Sequence, residues 1–307
     1  TDVWRCFYYG NDGTWADEQV KPFIPTGSCG MATSVDGISW DPVAHSTFGP
    51  NPEKGAWDSL HVGVGDVMWE EGEEGQTGKL VMYYFGADAQ HIEGGPPVQG
   101  LRMRIGRAVS SDGGLSWERE GAPVLEEAAE EGLFASWPRV LSPKETGGPW
   151  RMLYHAFDGS KWRAFSARSE DGKRWDREGS ILGPGPAGSF DERGVGTRCV
   201  APWRGKLLMV YEGVEAASGM HQLGCALSED GGASWSKMDG INPILSPGGA
   251  GGRWTSLVVG TPYLVPLEGG GLRLYFCAKE AEPDEMCIGA LESVSGELSS
   301  DAWQPCS

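Results

Sequence analysis

One segment recurs five times along this chain, and that recurrence limits the possible folds more than any other feature. Each copy contains an apolar, tyrosine-rich run: Phe7-Tyr8-Tyr9-Gly10, Met82-Tyr83-Tyr84-Phe85-Gly86, Met152-Leu153-Tyr154-His155, Met209-Val210-Tyr211-Glu212-Gly213 and Leu274-Tyr275-Phe276-Cys277. A second run follows in each: Gly30-Met31-Ala32-Thr33-Ser34, Ile105-Gly106-Arg107-Ala108-Val109-Ser110, Phe165-Ser166-Ala167-Arg168-Ser169, Leu223-Gly224-Cys225-Ala226-Leu227-Ser228 and Ile288-Gly289-Ala290-Leu291-Glu292-Ser293. Short runs rich in aromatic and branched residues read as strands. One copy cannot bury its own faces, so the copies must pack on one another. The expectation is an all-β, five-bladed β-propeller forming a single domain over residues 1–307, with blades at about 1–45, 57–120, 133–178, 188–238 and 252–305.

The turns between strands have a readable chemistry. Ser110-x-Asp112-x-Gly114-x-Ser116-Trp117 and Ser228-x-Asp230-x-Gly232-x-Ser234-Trp235 share one spacing. Ser34-x-Asp36-Gly37-x-x-Trp40 and Ser169-x-Asp171-Gly172-x-x-Trp175 are one residue shorter. Glycine accepts positive φ and aspartate bonds nearby backbone, so Asp-Gly between strand-like runs predicts a hairpin. The tryptophan is expected to begin an outer strand and pack between neighbouring blades. The longer form resembles the Asp-box of sialidases, a turn stabiliser rather than a catalytic aspartate.

Forty-eight glycines and 20 prolines suit many short strands and tight turns, and 14 tryptophans supply core. The formal net charge of −18 disfavours nucleic acid, whose phosphates need a basic footprint. It disfavours anionic membrane surfaces too, and no run is apolar for long enough to span a bilayer. No targeting segment is recognisable at Thr1-Asp2-Val3-Trp4. Acidic clusters such as Glu70-Glu71-Gly72-Glu73-Glu74 and Glu126-Glu127-Ala128-Ala129-Glu130-Glu131 read as solvated loops, with calcium or a basic protein as the alternative ligand. Seven cysteines at irregular spacing are neither a disulfide framework nor a zinc pattern, although Cys6 with Cys29 and Cys277 with Cys287 are placed to face one another. The odd count favours a reducing compartment or organelle lumen over secretion. Five scattered histidines argue against a transition-metal site.

The first strand of a propeller blade lines the central channel, so function is sought there. Three such strands align without gaps from Trp57, Phe190 and Trp254, and share a glycine at Gly63, Gly196 and Gly260 that lets backbones converge. A fourth, Ser136-Trp137-Pro138-Arg139-Val140, fits if Pro138 matches Pro262. Blade one has no such strand between Thr1 and Phe7. Either it is three-stranded, or residues before Thr1 are missing, or another segment fills the gap. An unfilled edge would accept a strand from a protein partner.

The order of inner strand, Met-Tyr-Tyr-x-Gly, then Ile-Gly-x-Ala-x-Ser-x-Asp-Gly-x-x-Trp resembles the arabinanase, levansucrase and invertase clan of five-bladed propeller glycosidases over nearly the whole chain. That resemblance implies carboxylates on inner strands: an aspartate in the first blade, an aspartate before proline in the second and a glutamate in the third. Glycoside hydrolysis needs one carboxyl to protonate the leaving oxygen and another as base or nucleophile. Here the first-blade strand is absent, the second blade offers Asp66 in Gly-Asp-Val, and Ser136 and Trp137 stand before Pro138 in the third. The acidic candidates are Asp58, Asp66, Asp191, Glu192 and Glu212, and the basic ones His61, His155, Arg139 and Arg198. Asp66 with Glu212 is the candidate acid pair. His61, Trp137, Arg139, Thr197, Arg198 and Tyr263 are the candidate channel-lining binding residues. Asp58 and Asp191 both follow an aromatic at equivalent positions and read as a repeated structural device. Alternatively Asp66 caps backbone, and Glu212 pairs with Arg198 or another arginine. The expected function is a glycosidase-like propeller that has lost hydrolysis and acts as a binding module or accessory subunit. Its partner would be a carbohydrate or a protein at the open first blade. An active glycoside hydrolase, or an enzyme of unrelated chemistry using His61, Asp66 and Arg198, are the alternatives.

Overall fold

The computed structural model describes residues 3–11, 27–72, 77–93, 98–249, 255, 257–279 and 286–306. Trp254 and Ser256 of the aligned inner strands, and Glu73 and Glu74 of the first acidic cluster, lie outside the described residues. The chain has the five-bladed β-propeller fold, with five antiparallel sheets in sequence order and almost no helix.

The first sheet holds β1 (Trp4–Gly10), β2 (Ser28–Ser34) and β3 (Asp41–Phe48). The second holds β4 (His61–Glu70), β5 (Lys79–Ala87), β6 (Arg104–Ser110) and the two-residue β7 (Glu118–Arg119). The third holds β8 (Ser136–Leu141), β9 (Trp150–Phe157), β10 (Trp162–Ser169) and β11 (Asp176–Leu182). The fourth holds β12 (Val195–Trp203), β13 (Lys206–Val214), β14 (His221–Ser228) and β15 (Ser236–Lys237). The fifth holds β16 (Val258–Pro266), β17 (Leu272–Lys279), β18 (Met286–Ser293) and β19 (Gln304–Pro305). Contacts group the described chain into two compact units. One comprises residues 1–140, 156–159 and 171–176, and the other 141–155, 160–170 and 177–307.

The repeat maps onto these sheets strand for strand. The tyrosine-rich runs are β5, β9, β13 and β17, flanked on both sides, and their Tyr83, Tyr84, Tyr154 and Tyr211 are fully buried. In the first sheet the same run is β1, which has a single strand neighbour among the described residues, and its Tyr8 and Tyr9 are half-buried. The turns close as their residues dictate. Asp230 accepts from the Ser234 amide (2.9 Å), the Ser234 hydroxyl (2.5 Å) and the Ser228 hydroxyl (2.8 Å), and these bonds hold its carboxyl down at about 2. Gly232 takes φ +89°, as this turn demands. The tryptophans after the turns reach into the preceding sheet. Trp117 meets Phe7 edge-on at 5.7 Å and Trp175 meets Tyr83 at 6.0 Å, while Trp235 packs in one core with Leu141 and Leu153.

Asp58 and Asp191 form one repeated device. Asp58 accepts from the Tyr84 hydroxyl (3.0 Å) and Arg119 Nε (2.7 Å). Asp191 accepts from the Tyr211 hydroxyl (2.9 Å) and Lys237 Nζ (2.5 Å). Each ties the turn before an inner strand to the second and fourth strands of its own sheet. The cysteine pairings fail on register: Cys277 stands opposite Ile288 and Cys287 opposite Ala278, while Cys6 stands opposite Ala32 and Cys29 opposite Tyr9. An odd offset, one residue for Cys277 and Cys287 and three for Cys6 and Cys29, sends paired side chains to opposite faces, and none of the seven cysteines is in a disulfide.

Candidate functional site

The inner strands share a local irregularity that the sequence alignment does not announce. Strand pairing slips between Val64 and Asp66 in β4, between Val195 and Arg198 in β12, and between Gly260 and Tyr263 in β16. These are equivalent positions in the aligned strands. Extra residues there form bulges, which bend a strand and re-aim side chains. Thr261, within the slip of β16, takes the left-handed backbone region at φ +48°, and Trp137 on β8 does so at φ +47°; each precedes a proline. Holding a non-glycine residue there costs roughly 1–2 kcal/mol, so the surrounding packing must impose it.

In the first unit the bulge of β4 presents Asp66. Its carboxylate is 1 % exposed, and Oδ2 accepts from Arg139 Nη1 at 2.5 Å and from the Val140 amide at 2.8 Å. Arg139 also reaches the Val140 carbonyl at 3.0 Å. Gly65 allows this approach, since a Cβ there would meet Pro138 Cδ at 2.4 Å. Trp137 lies against Phe85 with ring centroids 4.1 Å apart. At Gly63 a Cβ would fall 2.2 Å from Phe85 Cζ, so this glycine seats a neighbouring ring. His61 is fully buried, with Nε2 2.8 Å from the Gly100 carbonyl, and burial lowers its pKa to about 4.

In the second unit the bulges of β12 and β16 surround Glu212 on β13. Its Oε2 accepts from the Thr197 hydroxyl and from the Thr261 amide, the latter at 3.1 Å, and Oε1 meets His221 Nδ1. Gly260 makes room for the carboxylate, because a Cβ there would sit 3.0 Å from Glu212 Cδ. Burial alone would raise the carboxyl pKa, but the bonds from His221, Thr197 and Thr261 outweigh it, and the group is held ionised. The bond to Glu212 correspondingly raises the pKa of His221, whose side chain is 38 % exposed. Arg198 is buried and donates to His155 Nδ1 at 3.0 Å. Desolvation pulls its pKa down to about 9 and keeps His155 well below its ordinary value. Tyr263 projects at 44 % exposure.

The structure thus joins Asp66 with Arg139 in one compact unit and Glu212 with Thr197 in the other, while Trp137 packs on Phe85. The ion partner of Glu212 is His221 rather than Arg198. His221 was legible in principle. In the β13–β14 hairpin Glu212 stands opposite Leu223 and Val214 opposite His221, so Glu212 and His221 are diagonal neighbours on one face. Among the described residues no three His, Cys, Asp or Glu side chains gather to hold a metal, and no helix is long and apolar enough to cross a membrane.

No family model matches the chain. No curated protein matches it either. Solved structures do. One described as a glycoside hydrolase superposes with a TM-score of 0.67 at 19 % identity, over 97 % of this chain and 85 % of that one. A thermostable family-43 glycoside hydrolase gives 0.67 at 17 % identity, over 96 % and 88 %. A family 117 glycoside hydrolase from the marine bacterium Zobellia galactanivorans gives 0.61 at 15 % identity, over 84 % and 72 %. At these identities the likeness is one of fold, the five-bladed propeller of glycoside hydrolases.

Proposed function

We propose that this chain is a carbohydrate-binding propeller with a glycosidase's fold, and that Asp66 and Glu212 do not act as a hydrolytic acid pair. One observation carries the reading: both carboxylates are engaged by internal donors, Asp66 by Arg139 and Val140 and Glu212 by Thr197, Thr261 and His221. A glycosidase needs a carboxyl that retains its proton until it meets the leaving oxygen, and enzymes achieve this by raising its pKa. Glu212 is shifted the opposite way. The fold neighbours support a carbohydrate as the ligand, since glycoside hydrolases bind sugars before they cleave them. The experiment is a panel of plant, algal and yeast oligosaccharides scored for binding by calorimetry and for cleavage by reducing-end release. Binding without release is the expected result. Turnover that disappears in both Asp66→Asn and Glu212→Gln, with the fold retained, overturns the reading in favour of a hydrolase.

A second reading, an accessory subunit that takes a protein partner, is favoured by the first sheet. There β1 carries the same tyrosine-rich sequence as the buried β5 and β13 but has a neighbouring strand on one side only among the described residues. An open edge of this kind accepts an added strand. Amide exchange tests it: β1 amides that gain protection only when a partner binds support the subunit role.

A further inference from the structure

An excess of positive charge sits beside Glu212 in a chain that is otherwise strongly acidic. The sequence has 43 acidic side chains against 25 lysines and arginines, and most of the described arginines are consumed by carboxylates. Arg104 is held by Asp88 and Glu127, Arg107 by Glu70 and Glu120, Arg151 by Glu178 and Arg273 by Glu292. Arg193, like Arg5, Arg163, Arg168 and Arg174, is outside this pattern, and it differs from them in lying beside His221. Among the described residues it makes no ion pair, and its guanidinium carbon lies 5.5 Å from the centroid of the Trp162 ring. Its backbone is fixed on both sides, by a bond from its amide to the Val214 carbonyl (2.9 Å) and one from the Trp162 amide to its own carbonyl (3.0 Å).

The Arg193 amide bonds the carbonyl of Val214, which stands opposite His221 in the β13–β14 hairpin, so the two residues are backbone neighbours; the charge of Arg193 opposes protonation of the ring, yet the bond to Glu212 keeps its pKa raised. Arg193 and His221 thus stand on adjoining backbone segments at a partly exposed surface, with Glu212 offsetting the charge of His221. A free surface relieves such repulsion by turning the longer side chain away. Here the stack on Trp162 restrains Arg193 and the Glu212 bond pins His221, so each would lose a partner by turning. Glu215, just beyond β13, is engaged by the Ser218 hydroxyl. An anion accepting from both Arg193 and His221 removes the repulsion and gains two charge-assisted hydrogen bonds. The half-exposed Trp162 indole supplies apolar area next to the charges, as sugar C–H faces require.

We propose that the Arg193–His221 face binds a carbohydrate through a carboxylate carried by the sugar, as in a uronic acid residue. This rests on the carbohydrate-binding reading and names the ligand class for it.

The test is calorimetry with trimers of galacturonate, mannuronate and glucuronate, each against its neutral counterpart of galactose, mannose or glucose. At least one uronate trimer should bind ten-fold or more tightly than its neutral partner. Its affinity should fall ten-fold or more in Arg193→Gln, and should weaken as pH rises from 5.5 to 8.5 and His221 loses its proton. In the wild type, uronate binding should also move the His221 ring titration to higher pH by NMR. Among the described residues Arg193 has no ion pair to lose, so an unchanged thermal unfolding profile serves as the fold control. Equal affinity for acidic and neutral trimers overturns the carboxylate assignment and leaves the carbohydrate reading standing. Uronate binding insensitive to both Arg193→Gln and pH overturns the assignment to this face. Failure of all three uronates overturns the proposal outright, while the broad oligosaccharide panel judges carbohydrate binding separately.

Discussion

If Asp66 serves the fold rather than chemistry, replacing it with asparagine should cost stability and the loss should depend on Arg139. The carboxylate is fully buried, the Arg139 side chain is 14 % exposed, and one oxygen takes both the guanidinium and the Val140 amide. Asparagine keeps one acceptor oxygen and so can retain the Val140 bond, but it removes the charge that faces the Arg139 guanidinium. Breaking a buried pair from one side costs about 3–5 kcal/mol, and the retained acceptor places Asp66→Asn near the lower figure, about 3 kcal/mol. Urea unfolding at pH 7 measures this directly. The companion variant is Arg139→Met, which fills much of the same volume without charge. Combined with Asp66→Asn it removes the stranded cation, so the double variant should be more stable than the sum of the single losses predicts, by about 1.5–3 kcal/mol. A loss below about 1 kcal/mol for Asp66→Asn would refute the reasoning. So would strict additivity with Arg139→Met, because the two groups would then not be stabilising one another.

The Glu212–His221 couple predicts a plateau in stability against pH. His221 has a raised folded pKa, so its contribution is complete below its ordinary 6.5 and is lost as pH rises through the folded value; Glu212 has a lowered one, so its contribution is present above 4.5 and lost as pH falls through its folded value. Urea midpoints from pH 4 to 9 should show this plateau between the two, and His221→Gln should flatten the alkaline limb by less than about 1 kcal/mol, given the exposure of the ring. The aligned glycines should respond unequally. Gly63→Ala drives a Cβ to within 2.2 Å of the Phe85 ring and should cost about 1–3 kcal/mol. Gly196→Ala meets nothing nearer than 3.6 Å and should stay within about 0.5 kcal/mol of wild type in the same unfolding assay. Asp230→Ala should release the Ser234 amide, which hydrogen exchange would register as a local loss of protection without global unfolding.

Local patterns in the chain fix the strands and turns. The tyrosine-rich runs become β5, β9, β13 and β17 because a half-apolar, branched and aromatic run suits a buried pleated strand, and Asp230 and Gly232 close their hairpin through bonds within a few residues. The equivalence of Asp58 and Asp191 is legible for the same reason: a repeated sequence in a repeated blade places repeated partners, Tyr84 with Arg119 and Tyr211 with Lys237. The candidate site lies beyond such reading. Asp66 meets Arg139 across 73 positions and Glu212 meets the Thr261 amide across 49, contacts that no local period encodes. Strand register decides them. A single extra residue in β4, β12 or β16 turns the following side chains to the other face, and sequence alignment cannot tell a bulged strand from a straight one. Sequence by itself determined the number of blades, their strands and their turns, because those rest on propensities and bonds spanning a few residues. Which charges meet, that Glu212 is ionised against His221 and that Arg193 makes no ion pair among the described residues follow from the folded chain alone, because long-range packing sets burial and electrostatic partners together.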